Sequence, residues 1–187
     1  MFAASWRLGM QNQKHLDAHI ELTVLTSAFV TFCDVNKEQG QKLEADLPSE
    51  SVCFVQAVTG SWDDQLRMFK AAKSRSPRKS VDVVIANAGV GCGSGDPMMA
   101  LGDPNATPTK PSMHIIDINL TGVIYTLELA IHFFRGSPVA AERDCCFIFG
   151  SSIAGYADNL SSWEYLTSKL ALELLGVPPG GSANIRA

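Results

Sequence analysis

Basic stripes and long apolar runs are both scarce in this sequence, and each shortage excludes a class of partner. The formal net charge is −4, and no basic stripe is present to neutralise phosphates, so we expect no nucleic-acid partner. Glu21 and several threonines interrupt the apolar stretch at residues 20–35, which is too short to span a bilayer, so we expect no membrane partner. With 46% hydrophobic and 18% charged residues, the composition is that of an ordinary globular protein.

Paired cysteines and metal-ligand spacings are lacking as well. The five cysteines are an odd number with no CxxC spacing, and four lie in apolar runs, as small buried residues do: Cys33, Cys53, Cys145 and Cys146. None of the four histidines has the spacing of a metal ligand: His15, His19, His114 and His132. The N-terminus shows no basic segment leading into an apolar one. These features predict a reduced, cytoplasmic protein without a metal site.

Apolar runs alternate with helical stretches from about residue 28. Four runs, at residues 28–35, 51–58, 80–90 and 144–152, are typical of strands that are buried on both faces. Helical stretches separate them, so we expect the strands to run parallel with helices packed on each side. The sequence therefore predicts an α/β fold with a doubly wound, Rossmann-like parallel sheet, in a single domain over residues 1–187.

Two helices follow the third predicted strand. The first covers residues 112–136, and its apolar side chains fall roughly on one stripe: Ile116, Leu120, Ile124, Leu127 and Ile131. The second covers residues 161–176 and carries Tyr165 and Lys169, four residues apart. Such spacing places the two side chains on one face of the helix.

Polar residues stand where the predicted strands end. Asp34, Asn87–Gly89 and Ser151–Ser152 all fall at carboxyl ends of strands. In doubly wound sheets ligands bind at that edge. The positions alone also fit ordinary structural roles, because an Asp or Ser at a strand end can cap the next helix and a glycine can serve a turn.

Tyr165 and Lys169 form a sensible pair for proton transfer. A phenol has an ordinary pKa near ~10, and a neighbouring ammonium lowers that pKa by favouring the phenolate. A Tyr-x-x-x-Lys spacing often arises by chance on a solvated helix face, but here Ser152 ends the preceding strand and Asn119 lies in the preceding helix. "NAG" at 87–89 closes the strand before that helix, and four features in this order, each at a strand end or in the right helix, are a specific signal.

The combined motifs resemble those of the short-chain dehydrogenase/reductase family. The matching segments are "DV" at 34–35, "ANAG" at 86–89, "INLTG" at 118–122, "GSS" at 150–152 and "YLTSK" at 165–169. The resemblance covers roughly residues 28 to 175 and, within the family, is greatest to fungal relatives of 15-hydroxyprostaglandin dehydrogenase.

The resemblance implies a catalytic role for four residues. Tyr165 would be the general acid/base on a substrate oxygen, and Lys169 would lower its pKa and bind the nicotinamide ribose. Ser152 would hold the substrate oxygen, and Asn119 would fix a water in the proton relay. The implied partner is a small secondary alcohol or ketone, and the family's paired-helix contact implies a homodimer or tetramer.

The resemblance also implies a nicotinamide cofactor. Asn87, Ala88 and Gly89 would line its adenosine side, and Asp34 would accept hydrogen bonds from the adenosine ribose. A carboxylate at that place repels a 2′-phosphate, which favours NAD over NADP. Hydride transfer is the chemistry of the cofactor, which the protein orients and polarises.

Three segments depart from the family pattern. The first 27 residues contain a single glycine, Gly9, where the family has a Gly-rich phosphate loop after its first strand. Gln56, Ala57 and Val58 stand where the family has an adenine-binding Asp. Beyond the Tyr165 helix only residues 177–187 remain, where the family has its next strands and the lid of its substrate pocket. We therefore expect the sheet to lack its first strand and its C-terminal strands.

These departures leave two alternatives open beside an active enzyme. One is a truncated, catalytically silent family member that keeps the four catalytic residue types without a phosphate loop. The other is a scaffold that pairs through exposed sheet edges with another protein.

Overall fold

In the part of the chain that the structure describes, five parallel strands form one sheet. The structure is a computed structural model that describes residues 2–6, 28–48, 50–91, 105–108, 110–138, 144–156 and 163–175. The strands are β1 (Phe2–Trp6), β2 (Phe29–Asp34), β3 (Val52–Gln56), β4 (Val83–Ala86) and β5 (Cys146–Phe149). Their order across the sheet is β3-β2-β1-β4-β5, and every neighbouring pair is parallel. The predicted doubly wound α/β class is confirmed.

The centre of the sheet is filled by β1, a strand that the sequence was not expected to supply. Residues 2–6 pair with residues 29–33 of β2, and residues 3–5 pair with residues 83–85 of β4. The prediction of a missing first strand is therefore wrong. This short stretch lacks the β-branched residues that mark a strand, which hid it. Residues 7–28 then separate β1 from β2, more than the dozen or so that a parallel connection needs.

The predicted absence of C-terminal strands concerns a different part of the chain. Within the described residues no strand follows β5, and the description ends at residue 175. Residues 176–187 lie outside it, so that expectation stays a prediction.

Four helices flank the strands in the described residues. They are α1 (Lys37–Asp46), α2 (Trp62–Arg75), α3 (His114–Arg135) and α4 (Trp163–Glu173). Polar side chains begin the first two: Asn36 accepts the Gln39 N–H at 3.1 Å, and Ser61 accepts the Asp64 N–H at 3.3 Å.

Helix α3 buries a different face from the predicted stripe. Its buried residues are Asn119, Gly122, Val123, Thr126, Leu129, Ala130, Phe133 and Phe134. Ile124 of the stripe is 45% exposed, and the other four stripe residues are half-buried. A π-helical turn at Asp117–Thr121 adds a residue to one helical turn and so rotates the faces that follow.

The core lies on both faces of the sheet. The larger apolar cluster joins β4 and β5 to α2 and α3, and the smaller one packs Val30 and Phe32 against Leu43 of α1. Cys33, Cys53 and Cys145 are buried, as their apolar surroundings predict. By length and composition α3 is the one described helix that could cross a membrane, a test that core helices also pass, and here it contributes to the larger cluster.

Candidate active site

The loops that follow β4 and β5 lie side by side at the carboxyl edge of the sheet. Ala86 and Phe149 are register partners at the ends of the two strands, and the Gly150 N–H donates to the Ala86 carbonyl at 3.1 Å. A methyl group on Gly150 would lie 3.6 Å from Asn87 Oδ1. The two motif segments "ANAG" and "GSS" are therefore in contact, as the positions of the strand ends predict.

Asn119 is buried where α3 approaches the loop after β4. Its Oδ1 accepts the Val90 N–H at 2.7 Å, and its Nδ2 donates to the Val90 carbonyl at 2.9 Å. The same Nδ2 lies 3.2 Å from the Ser168 hydroxyl of α4. Asn119 sits within the π-helical turn, and its amide joins the β4 loop to α4.

Lys169 is a buried cation at the same place. It is only 6% exposed, and its Nζ donates to the Gly150 carbonyl at 2.8 Å. Burial lowers the pKa of this ammonium below its ordinary value, because a poorly solvated site disfavours the charged form. A methyl group on Gly89 would lie 3.5 Å from both Lys169 Nζ and Asn119 Oδ1, so the two side chains converge on Gly89.

Tyr165 lies one helical turn before Lys169 on α4. Its side chain is half-buried, and Lys169 Nζ is 5.7 Å from the centre of its ring. The two groups share one face of the helix, as their spacing predicts. The Tyr165 carbonyl accepts the Ser168 hydroxyl at 2.7 Å, so Ser168 links the backbone of Tyr165 to Asn119.

Ser152 begins a short 3-10 turn, Ile153–Gly155, directly after β5. Its hydroxyl accepts the Ala154 N–H at 3.2 Å and still has a proton to donate. The turn packs against α4. The capping interpretation of this serine is therefore correct, and it leaves the hydroxyl able to donate to a ligand.

A second tyrosine lies close to Ser152 and differs in its electrostatic setting. The Tyr156 hydroxyl donates to the carboxylate of Glu173, and the Ser151 hydroxyl donates to the same carboxylate. The bond to Glu173 raises the pKa of Tyr156 to about 12, so this phenol keeps its proton at neutral pH. Tyr165 makes no such bond to a carboxylate among the described contacts, and the ionisable group beside its ring is the Lys169 ammonium.

Asp34 ends β2, at the same edge of the sheet but two strands away from β4. Strand spacing puts that separation at about 10 Å. Asp34 is buried, its carboxylate accepts the Asn36 N–H at 2.7 Å, and its carbonyl accepts the Ala57 N–H at 3.2 Å. The carboxylate thus supports the start of α1, and its several acceptor positions are compatible with a ribose hydroxyl as well.

Residues 56–58, where the family has an adenine-binding Asp, contact the carboxylate of a different residue, Asp64. The Val58 N–H donates to Asp64 Oδ2 of α2 at 2.9 Å, and this bond is the largest cause that lowers the pKa of Asp64. The Gln56 amide donates to the Val35 carbonyl at 3.1 Å. The segment around Gly9, where the family has its phosphate loop, lies outside the described residues.

Ser168, Glu173 and Asp64 were missed by the sequence interpretation. For Glu173 a signal existed, because Tyr165, Lys169 and Glu173 follow one another at intervals of four along one helix face. Ser168 and Asp64 carried none, since Asn119 and Val58, which they contact, lie outside their own helices.

Comparison with known proteins identifies the class to which this arrangement belongs. A family model described as short chain dehydrogenase matches residues 21–176. The chain belongs to the short-chain dehydrogenase family.

Two fungal relatives share sequence with the chain. The 5'-hydroxyaverantin dehydrogenase of Dothistroma septosporum is 34% identical over 155 residues, which cover 78% of this chain and 51% of the relative. The 5'-hydroxyaverantin dehydrogenase stcG of Emericella nidulans is 30% identical over 138 residues, which cover 67% and 45%. The chain thus spans about half the length of these relatives. Their names support the family resemblance but not the finer one to 15-hydroxyprostaglandin dehydrogenase.

Solved structures share the fold. A short-chain dehydrogenase/reductase (glucose/ribitol dehydrogenase) from Brucella melitensis superposes with a TM-score of 0.72 at 20% identity, over 93% of this chain and 65% of the other. A 3-ketoacyl-(acyl-carrier-protein) reductase from the same organism, complexed with NADH, gives 0.73 at 17% identity, over 93% and 66%.

Proposed function

We propose that this chain carries the active site of an NAD(H)-dependent oxidoreductase, in a single dinucleotide-binding domain, and that it interconverts a secondary alcohol and a ketone. The observation that carries the proposal is the buried Lys169 ammonium, fixed on the Gly150 carbonyl 5.7 Å from the Tyr165 ring. The ammonium and the phenol thus share one face of α4 at the carboxyl edge of the sheet, an arrangement that suits proton transfer to a ligand bound there.

The polar side chains of the candidate site have distinct roles in this reaction. The Tyr165 hydroxyl donates its proton to the ketone oxygen during reduction and takes it back during oxidation. The Ser152 hydroxyl donates a hydrogen bond to the same oxygen and so stabilises charge that develops there. Asn119 holds the β4 loop and α4 together, which keeps Lys169 in place.

The loop after β4 fits a nicotinamide cofactor. Gly89 has no side chain, and a methyl group there would lie 3.5 Å from Lys169 Nζ and from Asn119 Oδ1. A ligand can therefore approach the backbone at this glycine. Asn87, Ala88 and Gly89 would hold the cofactor together with Asp34, and when bound the cofactor supplies or accepts the hydride.

The buried Asp34 carboxylate supports NAD over NADP. A negative charge at the end of β2 opposes the 2′-phosphate that distinguishes NADP. One relative at 30% identity over 119 residues, from a Phoma species, is named an NADP-dependent dehydrogenase, so the preference needs a direct test.

Cofactor titration followed by fluorescence tests the proposal. We expect NADH to bind with a Kd in the micromolar range and NADPH at least about tenfold more weakly, a difference of ~1.4 kcal/mol. Asp34→Asn should reduce that difference, because it removes the charge and keeps the side-chain size. Absence of NADH binding at millimolar concentration would contradict the proposal.

The same titration decides the second candidate, a catalytically silent family member. The observation that favours it is the single glycine, Gly9, in the first 27 residues, together with Ala57 and Val58 in place of the adenine-binding Asp. On this account the Lys169 site is intact but no pyrophosphate is held.

A scaffold that pairs through its sheet edges is less well supported. At the outer edge of β3, Glu44 Oε1 accepts the Phe54 N–H at 2.7 Å and Arg67 donates to the Gln56 carbonyl at 2.9 Å. Side chains that occupy edge groups block strand addition. A chain that stays monodisperse when Glu44 is replaced by Ala would exclude pairing through this edge.

The remaining expectations belong to the same proposal. The relatives' names are those of dehydrogenases of a hydroxy compound, which supports a small-molecule alcohol as substrate. A cytoplasmic location and a homodimer or tetramer complete it, with the exposed Ile124 of α3, Leu170 of α4 and Leu174 directly after α4 as apolar contact residues. Sedimentation of the chain with Leu174→Glu against the unchanged chain would test the assembly.

A further inference from the structure

One carboxylate holds both ends of the segment that contains Ser152. This serine segment, residues 151–156, runs from the end of β5 through the 3-10 turn. At its start the Ser151 hydroxyl donates to one oxygen of Glu173, and at its end the Tyr156 hydroxyl donates to the other oxygen. Two bonds from opposite ends of a short segment to one side chain restrict both its position and its orientation.

The middle of the serine segment lies directly on α4. Gly155 is buried, and a methyl group there would lie 3.1 Å from Glu173 Cγ and 3.3 Å from the Lys169 carbonyl. Both distances are tighter than ordinary carbon contacts, so the backbone approaches α4 more closely than a side chain allows. Glu173 and Lys169 are thus the two positions of α4 on which the segment rests.

The face of α4 that Glu173 occupies is the face of the candidate acid/base. Tyr165, Lys169 and Glu173 succeed one another at intervals of four residues and therefore point to the same side of the helix. Neither Glu173 nor Tyr156 belongs to the motif segments that carry the family resemblance. A bond from Glu173 to the serine segment consequently ties Ser152 to Tyr165 through one rigid helix.

We infer that Glu173 is a positioning residue, which sets the Ser152 hydroxyl relative to the Tyr165 phenol by holding the serine segment on α4. A carboxylate suits this task because it accepts from two hydroxyls at once. The two donors lower the pKa of Glu173, and in return Glu173 raises the pKa of Tyr156 to about 12. The consequence for turnover rests on the proposed function, whereas the holding of the segment does not.

Amide hydrogen exchange on the full chain tests the holding directly. In the folded chain the Ala154, Gly155 and Tyr156 N–H groups are bonded within the segment. Glu173→Ala should raise their exchange rates at least about tenfold, because local opening no longer breaks two bonds to α4. Glu128→Gln, which changes an exposed acid on α3, is the matched control and should leave these rates unchanged. Unchanged rates in Glu173→Ala would overturn the inference.

Tyrosine titration gives a spectroscopic readout of the same contact. The ultraviolet absorbance of tyrosinate should show one tyrosine of the chain titrating near pH 12, and Glu173→Ala should move that step toward the ordinary value of 10.0. A step that stays in place would show that Glu173 does not hold the Tyr156 end of the segment.

Turnover tests the consequence, with acetophenone as the ketone probe and NADH as the reductant. Glu173→Ala should lower kcat about ten- to a hundredfold, because misplacement of a catalytic group by about 1 Å has effects of that size. The KM for NADH should stay unchanged. Glu173→Gln should restore kcat to within about threefold, since its amide accepts one bond and donates another. Wild-type kcat in Glu173→Ala would contradict the inference.

The two proposals fail in different ways. If the unchanged chain neither binds NADH nor turns over, the proposed function is wrong, and hydrogen exchange still decides whether Glu173 holds the serine segment. If the unchanged chain turns over and Glu173→Ala equals it, the positioning role alone is wrong.

Discussion

The two halves of the sheet's carboxyl edge use their polar groups in different ways. Beside β4 and β5, Asn119 and Lys169 bond to elements far away in sequence, 29 residues away at Val90 and 19 at Gly150. Beside β2 and β3, Asp34 and Asp64 bond to backbone N–H groups only two and six residues away. The first half joins separate elements into one site, and the second stabilises its own turns.

This difference bears on what each half can do for a ligand. The β4–β5 half holds Lys169, Asn119 and Gly89 in a fixed arrangement before any ligand binds, which favours catalysis by pre-organised groups. In the β2–β3 half a cofactor has to share acceptors that the backbone already uses. Substitutions in the first half should therefore change turnover most, and those in the second half stability and affinity.

Removal of the Lys169 ammonium should have the largest effect. Lys169→Met keeps an apolar stem of similar length and removes the charge, so we expect kcat to fall by about 10²–10⁴, the usual range for loss of acid/base assistance. Lys70→Met, on the exposed side of α2, is the control and should keep full activity. Steady-state rates of ketone reduction measure both, and equal rates would remove Lys169 from the mechanism.

The same substitution should change the pH dependence of stability. Because burial lowers the pKa of Lys169, the unfolded chain binds more protons than the folded chain between that lowered value and the ordinary value near ~10.4. The contribution of Lys169 to the free energy of unfolding therefore rises with pH between these two values. Urea unfolding should show a smaller rise for Lys169→Met, and an identical rise in both proteins would contradict the burial of the charge.

Loss of the Asn119 amide should come next, measured as free energy of unfolding. Asn119→Ala leaves the half-buried N–H and carbonyl of Val90 without their side-chain partner, which costs about 2–3 kcal/mol. Asn36→Ala removes a helix N-cap in the β2–β3 half and should cost only about 1 kcal/mol. Urea titration of the two variants compares the halves, and an equal loss would erase the distinction.

Gly122 and Gly89 differ in how closely their surroundings are packed. A methyl on Gly122 would lie 2.4 Å from Thr59 Cγ2 and 3.1 Å from the Thr59 carbonyl, whereas one on Gly89 meets nothing closer than 3.5 Å. Gly122→Ala should therefore destabilise by about 1 kcal/mol, since overpacking of about 1–3 kcal/mol exceeds the helix-propensity gain. Gly89→Ala should change stability by less than about 0.5 kcal/mol. Thermal unfolding that ranks them the other way would refute the packing at Thr59.

The smallest effect should be that of Asp64→Asn, in the β2–β3 half, on stability at acid pH. The Val58 N–H holds the pKa of Asp64 below its ordinary 3.8. The ionised Asp64 therefore stabilises the fold fully above pH 3.8, and this stabilisation is lost as the pH falls through the lowered pKa. Asp64→Asn should flatten the fall of the unfolding midpoint below about pH 4, and Asp63→Asn, in the same helical turn, should not. A steep fall in Asp64→Asn would contradict the Val58 bond.

The fold was predictable where apolar runs were long and unclear where they were short. β2 to β5 each carry such a run, but β1 is five residues of mixed character, and only its pairing with β2 and β4 reveals it. The prediction that the apolar stripe is the buried face of α3 was wrong for another reason. Its spacing assumes a regular helix, and the π-helical turn at Asp117–Thr121 is a tertiary adjustment that no period shows.

The site was predictable in its motif residues and unpredictable in the groups that connect them. Tyr165, Lys169 and Asn119 lie at one place, as their order along the chain implies. The buried Gln65 instead donates to the Thr59 and Gly122 carbonyls at 2.6 and 2.8 Å, across sequence separations of 6 and 57 residues. Contacts of that range depend on how α2 and α3 pack, and local sequence pattern carries no record of them.

Replacement of Tyr165 by Phe tests the central claim most directly, with NADH affinity and turnover measured on the same preparation. The phenol hydroxyl alone is removed, so we predict that ketone reduction and alcohol oxidation are abolished while the Kd for NADH stays within about twofold, well under 1.4 kcal/mol. Tyr125→Phe, which keeps the ring that packs edge-on against Trp62 at 5.4 Å, is the control and should retain full rate. A Tyr165→Phe protein that binds NADH and turns over at the unchanged rate would contradict the account.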